Sequence, residues 1–239
     1  MSEELKDTAA AGYNDSENAV PADEGDSCAP APRRPEGNPA FPEGEEGEAM
    51  LDRMNGGAHE QLANWAFQYL SFDGAKRALD VGCGGGANIA RMLERMPDGE
   101  VWGIDHSTLA VEKTLTYNVD AVRARRSGAI VGDVANMGFT DEVFDIVTAF
   151  ETIYFWPDPY EGLREIYRVL VPGGTVLVCN EADGSSSDSY ILAMTIKGMN
   201  IYTPRELDGM MDTVGFVDVK LYNDVERGSV CITAKRPMQ

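Results

Sequence analysis

Residues 78–88 read Ala-Leu-Asp-Val-Gly-Cys-Gly-Gly-Gly-Ala-Asn. A short apolar run enters a glycine turn, and the turn opens a segment with helical spacing at Ile89, Met92, Leu93 and Met96. Glycines at such a turn let a ligand approach the backbone, and free N–H groups at a helix start attract negative or polar groups. The turn alone leaves its ligand open. Gly82, Gly84 and Ala87 also satisfy the G-x-G-x-x-G/A fingerprint of dinucleotide binding.

Beyond this turn, apolar β-prone runs recur at Val101–Ile104, Ala129–Val131, Phe144–Phe150, Thr175–Cys179, Phe216–Leu221 and Ser229–Ala234. Helical spacing recurs at Leu62, Trp65, Ala66 and Tyr69, at Leu163, Ile166, Tyr167 and Leu170, and at Leu207, Met210, Met211 and Val214. The last of these is punctuated by Thr203 and Glu206 as a capping box, Pro204 at the first helical position, and Gly215 after the end. A further helix is expected over 107–125, with Val111, Leu115, Val119 and Val122 on one face. Strands alternating with helices predict an α/β fold, a Rossmann-like doubly wound sheet with helices on both faces. The final two strands are separated only by the Asn223–Gly228 region, too short for a helical crossover, so they pair antiparallel. The expectation is a seven-stranded sheet, mostly parallel, with the last strand antiparallel.

Three features narrow the ligand. Asp80 stands two residues before the first glycine, where it would repel a pyrophosphate but suit an ammonium group. Val101-Trp-Gly-Ile-Asp105 puts a carboxylate at the tip of the second strand, able to accept both hydroxyls of a ribose. Ile130-Val-Gly-Asp133 puts another at the third tip, where it can receive an adenine amine. A ligand with ammonium, ribose and adenine, and no phosphate, is S-adenosylmethionine.

With these residues the sequence resembles the class I S-adenosylmethionine-dependent methyltransferases, of the broad small-molecule type, over roughly residues 50–235. The family's acid-x-Gly-x-Gly-x-Gly motif is matched by Asp80, Gly82, Gly84 and Gly86. The resemblance implies that this loop holds the methionine and ribose parts of the cofactor. It assigns Asp105 to the ribose, His106 to the neighbourhood of the adenine, and Asp133 and Val134 to the adenine itself. The run Phe144–Glu151 matches the fourth strand, whose end at Phe150 faces the methyl group. Arg168–Val178 matches the helix-turn-strand that follows.

The acceptor side is less defined. Phe150-Glu-Thr-Ile-Tyr-Phe-Trp-Pro-Asp158 leaves the carboxyl edge of the sheet, and its aromatics Tyr154, Phe155 and Trp156 can wall a pocket or pack under the next helix. Tyr154 is a candidate substrate contact, and Glu151 a candidate to polarise the acceptor. The resemblance also implies that the helix before the sheet folds over cofactor and acceptor, which makes His59 a candidate general base beside its plainer reading as a surface histidine. Met194, Met199 and Tyr202 are candidates for an adaptable apolar pocket, or for core. Asp145 reads as structural, Cys83 as a small loop-filling residue, and Arg123, Arg125 and Arg126 as cations at a helix end. No metal site is suggested. The loop lacks the Asn/Asp-Pro-Pro-Tyr/Phe run of enzymes that methylate exocyclic DNA amines or glutamine side chains.

Composition sets the remaining limits. The 239 residues carry 40 Asp and Glu against 20 Lys and Arg, a formal charge of −20. Such a surface repels nucleic acid and anionic lipid on average. No apolar run is long enough to span a bilayer, and the acidic start does not read as a secretory leader. Cys28, Cys83, Cys179 and Cys231 form no C-x-x-C pair. A cytoplasmic protein acting on a small-molecule acceptor is expected, with oligomeric state unspecified. Residues 1–50 hold 13 acids against three bases. They have few large apolar residues, so they read as a disordered acidic tail before a methyltransferase domain at 51–239. Two other functions fit the same motifs. One is an NAD(P)-dependent oxidoreductase. The other is a non-catalytic sensor of S-adenosylmethionine or S-adenosylhomocysteine.

Overall fold

The computed structural model describes residues 37–238. Seven strands form one sheet in the order β3-β2-β1-β4-β5-β7-β6. They are β1 (Arg77–Val81), β2 (Glu100–Asp105), β3 (Ser127–Val131), β4 (Phe144–Phe150), β5 (Leu170–Asn180), β6 (Val217–Asp224) and β7 (Ser229–Lys235). The pairs from β3 through β5 are parallel, while β7 runs antiparallel to both β5 and β6. The fold is therefore the Rossmann-like arrangement expected. Strand order reverses between β1 and β4, and the crevice outside the carboxyl ends at such a point is where ligands bind in these sheets.

The helices are α1 (Gly44–Met54), α2 (Gly57–Ala66), α3 (Ala87–Arg95), α4 (Thr108–Tyr117), α5 (Val119–Arg123), α6 (Pro159–Val169), α7 (Ser187–Thr195) and α8 (Pro204–Val214). Leu163, Ile166, Leu207 and Met211 carry α6 and α8 onto one face of the sheet. Leu62, Ala66, Ile89 and Met92 carry α2 and α3 onto the other. Each such side chain, buried from water, contributes about 1.5–3 kcal/mol. Asp158 caps α6 by accepting the N–H of Tyr160 at 2.8 Å, with Pro159 at the first helical position. The Thr203–Glu206 capping box forms on α8, and Gly215 ends that helix in the left-handed conformation.

Four expectations need correction. The helix over 107–125 breaks at Asn118, whose side-chain amide donates to the carbonyls of Gly86 and Thr114, each at 3.0 Å. That break turns Val119 outward, to 39% exposure. Arg126 lies beyond both pieces and donates instead to the Met96 carbonyl at 2.7 Å, closing the end of α3. β5 starts at Leu170, not Thr175, because Gly173 and Gly174 keep pairing with Arg236 through a shift of register. The tail boundary at residue 50 falls inside α1, so residues 37–50 belong to the folded domain. The remainder of the expected tail, residues 1–36, lies outside the described residues.

Candidate functional site

The glycine turn is held on both sides. Gly82 donates to the Ile104 carbonyl at 2.8 Å. Its φ is +71°, and a Cβ there would lie 2.3 Å from Thr152 Oγ1, so only glycine lets the tips of β1 and β4 come this close. The carbonyl of Gly84 accepts from Thr114 Oγ1 at 2.9 Å, and that of Gly85 from Asn55 Nδ2 at 3.1 Å. Gly86, also left-handed, packs against Thr114 and Asn118, where a Cβ would meet atoms at 2.8 Å. It shapes the loop and does not line the cleft, a correction to its expected cofactor contact.

Asp105 crosses to this turn. Its Oδ2 accepts the Gly84 N–H at 3.0 Å and its Oδ1 the Ser107 N–H at 2.9 Å. Burial pushes its carboxyl up, and these N–H groups pull it partly back. Asp133 is fixed by the Ala135 N–H at 2.9 Å. Asp105, His106, Asp133, Val134, Gly82, Gly84 and Phe150 line one cleft of about 190 Å³, together with Glu151 and Phe155. Among the described residues, its walls carry three carboxylates (Asp105, Asp133, Glu151) and no Lys or Arg. That donor set fits a cationic nucleoside and disfavours a pyrophosphate.

Asp80 departs from expectation. Strand alternation turns it under α3, where it is 2% exposed and accepts from Thr148 Oγ1 at 2.7 Å. Burial raises its pKa to about 7, against the lowering effect of the Thr148 bond. It lies behind the loop and not on the cleft wall.

The cleft also has a wall that residue-by-residue reading missed. Pro39, Ala40 and Pro42 line it, with Leu51 and Met54 of α1. The segment is tied down by His106 Nε2 to the Ala40 carbonyl, by Ser107 Oγ to the Pro42 carbonyl at 2.5 Å, and by Phe41 against the His106 ring, centroids 5.0 Å apart. Its small and acidic composition gave no apolar signal of this role.

Past the tip of β4 the site changes character. Glu151 has φ +59°, a left-handed conformation rare for a residue with a side chain. Its N–H donates to the Cys179 carbonyl at 2.9 Å, and its Oε1 accepts the N–H of Glu181. Burial, then the neighbouring Glu181 carboxyl, raises the Glu151 carboxyl well above its usual range. His59, at the start of α2, comes to the same place: ligand-type atoms of His59, Glu151 and Glu181 all lie within 4.8 Å of one another. His59 and Glu151 share a small cavity with the glycine turn. Glu181 instead faces a larger cavity of about 590 Å³, walled also by Gln61, Leu62, Ser185, Leu192 and Arg227.

Tyr154 is 1% exposed, and its hydroxyl accepts the Ala182 N–H at 2.9 Å. It clamps the end of β5, its hydroxyl also lying 3.4 Å from the Ala182 carbonyl. Phe155 and Trp156 line the cofactor cleft. Met199 packs with Tyr154 and Ala182, Tyr202 packs against the larger core, and Met194 is 76% exposed, so none of the three lines the larger cavity. Asp145 is structural, accepting the N–H groups of Lys76 and Arg77 at 2.8 and 2.9 Å. Burial raises the Cys83 thiol well above its usual range, in keeping with an inert loop-filling residue.

A family profile described as a methyltransferase domain matches residues 79–178. The chain is 27% identical over 184 residues to an uncharacterized methyltransferase, YdaC, of Bacillus subtilis, covering 75% of this chain and 93% of that one. It is 36% identical over 140 residues to a demethylmenaquinone methyltransferase of Lactiplantibacillus plantarum, where it spans 56% of the relative's length. In three dimensions it is similar to a chain of the complex between the Haloferax volcanii Trm112 methyltransferase activator and a methyltransferase. The TM-score there is 0.69 at 20% identity, over 80% of this chain and 93% of the other. With the strand order and the acid-lined cleft, these matches place the chain among the class I S-adenosylmethionine-dependent methyltransferases. Its cofactor is S-adenosylmethionine.

Proposed function

We propose that the protein methylates a small-molecule acceptor bound in the 590 Å³ cavity. The observation that carries this reading is the contact between Glu151, on the wall of the cofactor cleft, and Glu181, on the wall of that cavity. Donor and acceptor sites then meet at one point. The demethylmenaquinone methyltransferase relative supports a small-molecule acceptor over a macromolecular one.

S-adenosylmethionine, when bound, supplies a methyl group on a positively charged sulfur, already activated as an electrophile. The chain's own residues hold and shield. Asp105 would hold the ribose hydroxyls, Asp133 and Val134 the adenine beside His106, and the Gly82–Gly84 backbone the amino-acid part. Phe150 and Phe155 exclude water from the reacting end, which strengthens the electrostatics there. His59 takes the proton that the acceptor loses, and Glu151 orients it. Tyr154 is a positioning residue that fixes the strand tip carrying Glu181. A cytoplasmic setting suits three free, buried cysteines among the described residues, and there no helix is long and apolar enough to cross a membrane.

The test is transfer of a labelled methyl group from S-adenosylmethionine into a pool of metabolites, with mass identification of the product. Label in one compound small enough for the cavity supports the proposal. S-adenosylhomocysteine binding without any transfer would instead support the sensor, and label only in protein or nucleic acid would overturn the small-molecule acceptor.

A further inference from the structure

The meeting point of the two cavities has a composition that methyl transfer alone does not require. One imidazole and two carboxylates arrive there from three separate segments: His59 from α2, Glu151 from the tip of β4, and Glu181 from the residue after β5. Their ligand-type atoms lie within 4.8 Å of one another. None of the ion pairs among the described residues includes Glu151 or Glu181. Two adjacent carboxyl groups thus face each other, and among the described residues neither is in an ion pair, although Arg91 and Arg227 stand on the walls of the adjoining cavities. Such a pair holds either a shared proton or a cation.

We propose that His59, Glu151 and Glu181 bind a divalent first-row transition ion at the junction of the cofactor cleft and the larger cavity. The donor set selects the class of ion. One nitrogen and two carboxylates suit Zn²⁺ or Mn²⁺, whereas Ca²⁺ takes about six to eight oxygens and soft ions prefer thiolates. With bonds of about 2.1 Å, a tetrahedral ion needs donors about 3.4 Å apart. Donors within 4.8 Å of one another stand up to about 1.4 Å too far apart for that, so the ion's binding requires the three side chains to turn inward. Three protein donors leave at least one position open, and Glu181 places the ion against the larger cavity. An acceptor oxygen there would be polarised by the ion, and in the ion-bound chain His59 would serve as a ligand in place of the base role it has in the ion-free chain. The ion site stands on the three side chains; only its use toward an acceptor rests on the function proposed above.

The experiment uses the full chain, stripped with a chelator and titrated with Mn²⁺ followed by electron paramagnetic resonance, then with Zn²⁺ as competitor. The expected result is one Mn²⁺ per chain, displaced by Zn²⁺. Glu181→Gln and His59→Ala are each expected to weaken binding by roughly 10- to 100-fold or more, the loss usual when a metal site's support is removed. Melting curves establish that each variant folds, and His59→Ala keeps the test decisive if Glu181→Gln does not. No Mn²⁺ bound to the unaltered chain, or binding unchanged in a folded variant, would overturn the proposal. Calorimetry with S-adenosylhomocysteine on the same samples separates the two readings. If it fails to bind the unaltered chain, the cofactor assignment falls and the ion site still stands or falls on its own titration.

Discussion

The carboxyl edge of the sheet divides between β1 and β4, and the two sides are built differently. On the β1–β2–β3 side, carboxylates are fixed by N–H groups: Asp105 by Gly84 and Ser107, Asp133 by Ala135. Asp105 ends β2 and Asp133 lies two residues past β3, and the partners Ser107 and Ala135 each follow two residues later. On the β4–β5 side, function gathers residues 59, 151 and 181 from distant segments, and one of them sits in a left-handed conformation. The first side is a preformed cradle for a fixed ligand. The second is an assembly whose geometry depends on how α2 and the β5 tip settle, and such assemblies are where acceptors differ within one fold.

The largest effect expected from this contrast is on turnover. His59→Ala should lower the rate of methyl transfer by roughly 10²- to 10⁴-fold, the usual contribution of a general base, while leaving S-adenosylhomocysteine affinity largely intact. Steady-state rates with the identified acceptor, beside calorimetry, make the comparison. Equal losses in rate and in cofactor affinity would erase the division between cradle and assembly.

The next effect concerns the buried acid behind the cradle. Asp80 titrates at about 7 in the fold, against 3.8 as the ordinary value, chiefly through burial. A raised carboxyl favours the folded state when protonated. Its contribution is full below about pH 4 and is lost as pH rises through about 7. Asp80→Asn keeps an acceptor for Thr148 and removes the titration. The variant should match the unaltered protein near pH 4 and exceed it by up to about 4 kcal/mol at pH 8, since three units correspond to that energy. Urea denaturation of the ligand-free protein at both pH values measures the difference. Parallel curves for the two proteins would place the charge of Asp80 somewhere other than a buried site.

These contrasts also explain what could be read before the structure. The cradle was legible because its information is local. Strand, glycine turn and acid follow one another within a few residues, and the backbone that fixes each carboxylate lies beside it in sequence. Asp80 looked like part of the cradle by position alone. Strand alternation sent it to the α3 side, a consequence of sheet register. Asn118 interrupts α4 and α5 because Gly86 offers it a carbonyl, and nothing near Asn118 in the sequence announces that contact. Glu181 was missed for a similar reason, since one acid after an apolar run carries no pattern. The pairing of Phe150 with Cys179 is what brings it beside Glu151. In that parallel register Glu151 follows Phe150 and Glu181 lies two residues past Cys179, so the strand pairing itself makes the two acids neighbours.

The smallest expected effect tests the part of the cradle that composition concealed. Residues 39–42 lie in a stretch rich in Pro, Gly and Glu, which buries too little apolar surface to read as folded. They are nevertheless fastened at three points, to His106 twice and to Ser107. Only the ring contact of Phe41 can be removed without touching the backbone bonds. Phe41 is 42% exposed, so little core packing is lost with it. An aromatic pair contributes about 0.5–1.5 kcal/mol beyond its burial. Phe41→Ala should therefore weaken S-adenosylhomocysteine binding by about 2- to 10-fold, through a less ordered wall over the cleft, and leave turnover at saturating cofactor unchanged. An unchanged affinity would show that the glycine turn and the acids of β2 and β3 hold the nucleoside without this wall. The cradle would then be local in energy as well as in sequence.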